Sequence, residues 1–160
     1  MTYQVHNKHW YKTKPEPPGA IYIGRPRRSD PPSPLANPFS TEQNCSGTVT
    51  VVADPMAAYK RWIWHQLHRD TAARREIARL AALPDGVLLC WCKPHPCHGD
   101  IVAAAIDWWR QQQALPVARC RICDAPIAWG LNRDGYPAVY SVTGGVVTTH
   151  LHNCTGKDFL

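Results

Sequence analysis

Residues 87–100 read VLLCWCKPHPCHGD. The opening VLLCWC is a continuous apolar run, the pattern of a strand buried on both faces of a parallel sheet. Pro94 and Pro96 then impose a tight loop, and Gly99-Asp100 opens a helix. The apolar stripe Ile101, Val102, Ala105, Ile106 and Trp109 carries that helix to about residue 114. Strand, short loop and helix make half of a βαβ unit. In open α/β sheets, ligands bind at the carboxyl ends of strands, beside helix N-termini. The same stretch holds three cysteines and two histidines, so the fold and the chemistry are read from one place.

Outward from this stretch, residues 3–6 and 20–24 (AIYIG) are predicted strands. Residues 25–39, RPRRSDPPSPLANPF, carry five prolines and form a loop. TVTVV (48–52) is a short strand candidate. A helix starts at Asp54, which suits the N-cap, with Pro55 in the first helical position. Tyr59, Trp62, Ile63 and Leu67 follow at helical spacing. Thr71 caps a second helix, with Ile77 and Leu80 inward, and Pro84-Asp85-Gly86 makes a turn. Beyond Leu115-Pro116 the pattern changes to short strands with Gly turns. The expected fold class is therefore α/β: a small, mainly parallel sheet with flanking helices over residues 1–115. A small β module at 117–160 follows it.

Composition narrows the function classes. The chain has 160 residues and 44% hydrophobic content, enough for one packed domain and an appendix. No apolar run approaches the roughly 20 residues of a membrane span, and MTYQVHNKHW has no apolar signal region. A cytoplasmic, reducing compartment is the expectation, in which seven cysteines point to metal or chemistry rather than disulfides. Twelve basic and six acidic residues lie within 1–83, and six of each lie beyond it. That asymmetry suits a nucleotide or nucleic acid as partner, and equally a solvated basic surface. No membrane partner is expected.

In the C-terminal module, Cys120 and Cys123 form a CxxC knuckle, and HLHNC (150–154) follows nearly thirty residues later. Zinc takes four tetrahedral N/S ligands, often as two close pairs. Cys120, Cys123, His150 and Cys154 supply such a set, with His152 as the competing nitrogen at tighter spacing to Cys154. This predicts a zinc-ribbon-like module, since a unit this small buries little core alone. Arg119, Arg121 and Arg133 are phosphate partners or an ordinary solvated face.

At CWCKPHPCH, Cys90 and Cys92 are two apart and point to one side of a strand. With Cys97 and His98 (or His95) they form a second candidate zinc site. The reactive alternative places Cys97 at a helix N-terminus, where a thiol is partly thiolate, with His98 as acid or base. Plain burial of small sulfur side chains is the structural alternative.

Taken in order, VHNKHW (5–10), YIGRP (22–26), SPLANPF (33–39), a helix with Tyr59 and Trp62, and CWCKPHPCHGD (90–100) resemble a bacterial and phage family, domain of unknown function 4326. The resemblance covers roughly residues 3–110. Asn7, Lys8, Tyr22, Gly24, Arg25, Asn37, Cys90, Cys92, Cys97, His98 and Asp100 match its motif residues. Two departures are Ala36, where the family carries Gly, and the Pro-rich insertion at 26–32. The resemblance implies a polar pocket in which Asn7, Lys8, Tyr22, Gly24, Arg25, Asn37 and Asp100 bind ligand. Arg25 offers a planar fork for phosphate, and Asn37 offers donor and acceptor to a base or sugar edge. Trp10, Trp91 and Trp129 are candidates for base stacking.

The functional expectation is a zinc protein whose α/β domain binds, and acts on, a nucleotide or nucleobase, with the ribbon contacting nucleic acid or a partner. Two rivals stand beside it. One is a non-catalytic, zinc-stabilised adaptor for nucleic acid or protein. The other is a cysteine redox sensor built on Cys90, Cys92 and Cys97.

Overall fold

A computed structural model of the chain describes residues 3–27, 30–42, 49–132 and 136–153, with backbone only at residues 131, 149 and 150. The chain divides into two compact units, Met1–Asp107 and Trp108–Leu160. The fold is mixed α/β: the described residues form parallel sheets, three α-helices, a short 3-10 turn at Lys8–Tyr11 and a C-terminal antiparallel sheet.

In the first unit, β1 (Gln4–Asn7) and β2 (Ile21–Tyr22) both pair parallel with β5 (Val87–Cys90), which lies between them. That central position explains the apolar run: Leu88, Leu89 and Cys90 are fully buried. A two-stranded parallel pair, β3 (Phe39–Ser40) with β4 (Thr50–Val51), lies apart from this sheet. The Pro-rich segment before β3 ends ordered, with Leu35 fully buried and Asn37 nearly so.

Helix α1 (Pro55–Leu67) begins as the sequence predicts. Asp54 Oδ1 accepts from the N–H groups of Met56 and Ala57 at 3.0 and 2.9 Å. Helix α2 (Ala72–Ala81) is capped by Thr71, whose Oγ1 accepts from Arg74 N at 3.1 Å. Their inward faces supply Tyr59, Ile63, Leu67, Ile77 and Leu80 to the core. Polar atoms in that core are paired across elements. The Tyr59 hydroxyl donates to the Leu35 carbonyl at 2.7 Å, and the Tyr3 hydroxyl to that of Leu80 at 3.1 Å.

Helix α3 (His98–Gln113) starts one residue earlier than Gly99-Asp100 suggests. Its first turn passes so close to the sheet that only Gly fits at position 99. A Cβ there would lie 2.5 Å from Val5 Cγ1, 3.2 Å from Ile23 Cδ1 and 3.3 Å from Cys97 Sγ. This close approach sets His98 and Cys97 against the end of β5.

The second unit is a four-stranded antiparallel sheet in the order β6 (Val117–Arg119), β7 (Pro126–Leu131), β8 (Pro137–Thr143), β9 (Val146–Leu151). Gly144 and Gly145, with φ of +58° and +79°, make the tight turn between β8 and β9. Its core is small: Ala128, Tyr140, Val142 and Val147, with Leu115 and Ala138 packed against them.

Gly99→Ala decides between two opposed effects. Alanine's higher helix propensity favours the variant by about 1 kcal/mol, but overpacking against Val5 and Ile23 costs about 1–3 kcal/mol. Packing should win, so urea unfolding should show a lower midpoint than wild type. A raised midpoint would show that the helix start is looser than described.

Candidate metal centre and adjoining pocket

The end of β5, the loop after it and the start of α3 bring four soft donors together. The sulfurs of Cys90, Cys92 and Cys97 and a ring nitrogen of His98 all lie within 4.8 Å of one another. Cys90 Sγ and Cys97 Sγ are 2.7 Å apart, and Cys92 Sγ is 3.5 Å from His98 Nδ1. For zinc, bond lengths of about 2.3 Å to sulfur and 2.0–2.1 Å to nitrogen imply donor–donor edges of about 3.5–3.8 Å in a tetrahedron. The Cys92–His98 separation sits at the short end of that range, and the Cys90–Cys97 separation is shorter. The cluster has the donor set to hold a metal ion.

The surroundings orient these donors. His98 is buried, and its Nε2 lies 3.0 Å from the carbonyl oxygen of Ile23. That carbonyl can only accept, so Nε2 carries the proton and Nδ1 presents its lone pair to the sulfurs. A backbone carbonyl on the far ring nitrogen is the usual support of a metal-bound imidazole. Backbone N–H groups also reach the sulfurs: Gly99 N donates to Cys97 Sγ and Cys92 N to Cys90 Sγ, both at 3.3 Å. Within the cluster, hydrogen bonds from Cys90 and Cys97 hold the Cys92 thiol far below its ordinary value. The same contacts, reinforced by burial, push the Cys97 thiol upward. His95, the other imidazole of the loop, is exposed and outside the cluster.

Beside the cluster lies a pocket of about 440 Å³. Its wall includes Cys92 and His98 from the cluster and Tyr22, Gly24, Arg25, Arg27, Asn37 and Trp91 from the strand ends and loops. Among the described residues, no carboxylate lines it. Arg25 is fixed by the loop it faces, donating from Nε to the Asn37 carbonyl at 2.7 Å and from Nη2 to that of Phe39 at 2.6 Å. Asn37 Oδ1 accepts from Phe39 N at 2.9 Å, forming an Asx turn before β3. The Arg27 guanidinium lies over the Trp91 ring, 4.8 Å from its centroid. The Tyr22 hydroxyl donates to the Arg25 carbonyl at 2.6 Å, folding its ring across Gly24, where any Cβ would collide with it.

The predicted ligand-binding residues therefore divide. Tyr22, Gly24, Arg25 and Asn37 line the pocket, and Asn7, Lys8 and Asp100 do not. Asn7 holds local structure, donating to the Lys93 carbonyl and accepting from His9 N. Lys8 pairs with Asp30 and Glu16 at 2.7 and 2.9 Å, and Asp100 pairs with Lys93 at 2.9 Å. Cys97, the expected nucleophile, is buried away from the pocket wall, and Cys92 is the thiol that reaches it. Both nitrogens of His98 are engaged within the cluster and its support. Sequence reasoning did not single out Arg27, one of three arginines in RPRR; the signal that separates it, contact with Trp91, is tertiary.

In the second unit, Cys120 and Cys123 lie with His152, again with donor atoms within 4.8 Å. The side chain of His150 and all of Cys154 fall outside the described residues, as does Cys45. Trp129 and Trp10 are about half exposed, whereas Trp91 is half-buried under Arg27.

The family described as "Domain of unknown function (DUF4326)" matches residues 5–108. The chain belongs to that family. The match contains the Cys90–His98 cluster and the pocket wall, and it ends at residue 108, where the second unit begins. No curated protein and no solved structure matches the chain. No helix among the described residues is long and apolar enough to cross a membrane.

Burial holds the His98 imidazole below its ordinary value of 6.5. A depressed folded-state value means that the neutral ring contributes fully above the unfolded value and is lost as pH falls below it. Metal-free protein should therefore lose stability as pH drops from about 7.5 to 5.5. A His98→Gln variant should show a flatter dependence. Denaturant midpoints at the two pH values check this, and an unchanged slope in the variant would contradict it.

Proposed function

We propose that the family domain is a zinc-stabilised nucleotide-binding domain, with zinc held by Cys90, Cys92, Cys97 and His98. The observation that carries the ligand assignment is the pocket's charge: among the described residues, its wall holds Arg25 and Arg27 and no carboxylate. Arg25, tied down by two backbone carbonyls, presents a guanidinium whose remaining donors suit phosphate oxygens. Arg27 is held flat on Trp91 and adds a second cation. Asn37 uses its Oδ1 in the turn, leaving the amide N–H₂ to a base or sugar acceptor. A volume of about 440 Å³ falls in the range of small-molecule sites and accommodates a mononucleotide.

Zinc is the metal best matched to three thiolates and an imidazole. Four protein ligands close its coordination sphere, which is the pattern of a structural rather than a catalytic site. The ion's chemistry in this reading is to neutralise the thiolates and lock the loop. Cys92 and His98 belong both to the cluster and to the pocket wall, so the ion shapes the ligand site. This joint use favours a ligand-binding domain over an adaptor, which has no need of the pocket. The reading assigns no reaction.

Titration calorimetry of the zinc-loaded full chain with nucleoside mono-, di- and triphosphates tests the assignment. One of these should bind more tightly than inorganic phosphate. Arg27→Gln should weaken it at least about tenfold, equivalent to roughly 1.4 kcal/mol, without lowering the melting temperature. Absence of binding by every nucleotide would overturn the reading. A second expectation follows from the shared wall. Stripping zinc with a chelator should abolish binding, and restoring zinc should recover it; binding that survives chelation would uncouple pocket from metal.

A further inference from the structure

Outside the family domain, one cluster has the composition of a ligand shell and no part in the nucleotide reading. We propose that Cys120, Cys123 and His152 form a second zinc site that staples the C-terminal sheet, and that its nitrogen ligand is Nε2 of His152.

The local backbone builds the cysteine pair. Cys120 N donates to the Ala125 carbonyl and Asp124 N to that of Cys120, both at 2.9 Å. Asp124 adopts the left-handed region, with φ of +56°, which turns the chain back into β7. This returns a CxxC segment as a knuckle with both sulfurs on one side, where His152 meets them.

His152 is placed by two contacts independent of the sulfurs. Its backbone N–H donates to the Val139 carbonyl at 2.7 Å, extending the β8–β9 ladder by one residue. Its Nδ1 lies 3.5 Å from Ser141 Oγ, which leaves Nε2 facing Cys123 Sγ, also at 3.5 Å. A hydroxyl on one ring nitrogen and a thiol on the other repeat the arrangement at His98, where a carbonyl and a thiol flank the ring. The two ligand nitrogens differ: Nδ1 in the family domain, Nε2 here.

The sheet also needs such a link. Among the described residues its packed cluster is Ala128, Tyr140, Val142 and Val147, with Ile127 also buried, a small core for a unit of this size to be stable without a staple. The three donors come from the β6–β7 turn and from just past β9, so an ion joins the two ends of the module's sequence across the sheet.

Zinc content of the purified full chain, by elemental analysis, is the test. Wild type should carry two zinc ions per chain, and Cys120→Ser/Cys123→Ser should carry one fewer. His152→Ala should lose that same ion, while His150→Ala keeps it. Ser141→Ala, a milder change, should stay folded and bind the second ion about 10–100-fold more weakly in competition with a chromophoric chelator. If the double serine variant keeps all the wild-type zinc, the site does not exist. If His150→Ala loses the ion and His152→Ala keeps it, the ligand is misassigned. One ion in wild type and none in the double variant would support this site while contradicting the Cys90 centre, so the two proposals fail separately.

Discussion

Everything in the family domain hangs on the imidazole of His98. One ring nitrogen is bound to the Ile23 carbonyl, past the end of β2, and the other faces the sulfurs at the end of β5. A single side chain thus links two neighbouring strands, the loop between Cys90 and Cys97, and the first turn of α3. Burying a histidine and three thiols without partners is unfavourable, because each polar group loses water. The arrangement becomes stable when the donors serve a common acceptor, and a metal ion is the one acceptor all four can share. Gly99 permits it: with any side chain there, α3 would be pushed off Val5 and His98 would leave the strand end.

The pocket inherits its rigidity from the same link. Ile23 leads directly into Gly24 and Arg25, and Arg25 in turn pins the carbonyls of Asn37 and Phe39. From the metal cluster to the Asn-Pro-Phe loop there is an unbroken chain of hydrogen bonds and covalent neighbours. Ligand groups held in this way lose little freedom on binding, which is how a small polar site gains affinity. In the proposed reading the thiols serve as ligands, and Cys97 lies buried against Cys90.

Much of this was legible in the sequence where one local rule dominates. Asp54-Pro55 and Thr71 mark helix starts because cap chemistry is local, and VLLC announces a strand buried on both faces because burial leaves only apolar residues there. The Cys90, Cys92, Cys97, His98 set was expected from strand alternation and a short loop; β5 ends at Cys90, so Cys92 joins the set from the loop rather than from the strand. The turn at Gly144-Gly145 and the strands around it were equally plain. What depends on distant contacts was not legible. Arg27 looks like its neighbours in RPRR until Trp91 is seen beneath it. Lys8 and Asp100 look available for ligand until their ion pairs are seen. Spacing alone does not choose between His150 and His152; the role proposed for His152 rests on its contacts with Ser141 and Cys123, in distant segments.

The measurement closest to the central claim is zinc K-edge absorption spectroscopy of the full chain carrying Cys120→Ser and Cys123→Ser. Among the described residues, only the Cys90–His98 cluster then keeps a complete donor set. The account predicts one zinc per chain with three sulfur neighbours at about 2.3 Å and one nitrogen at about 2.0–2.1 Å. A metal-free protein, or a zinc shell made mainly of oxygen, would contradict it.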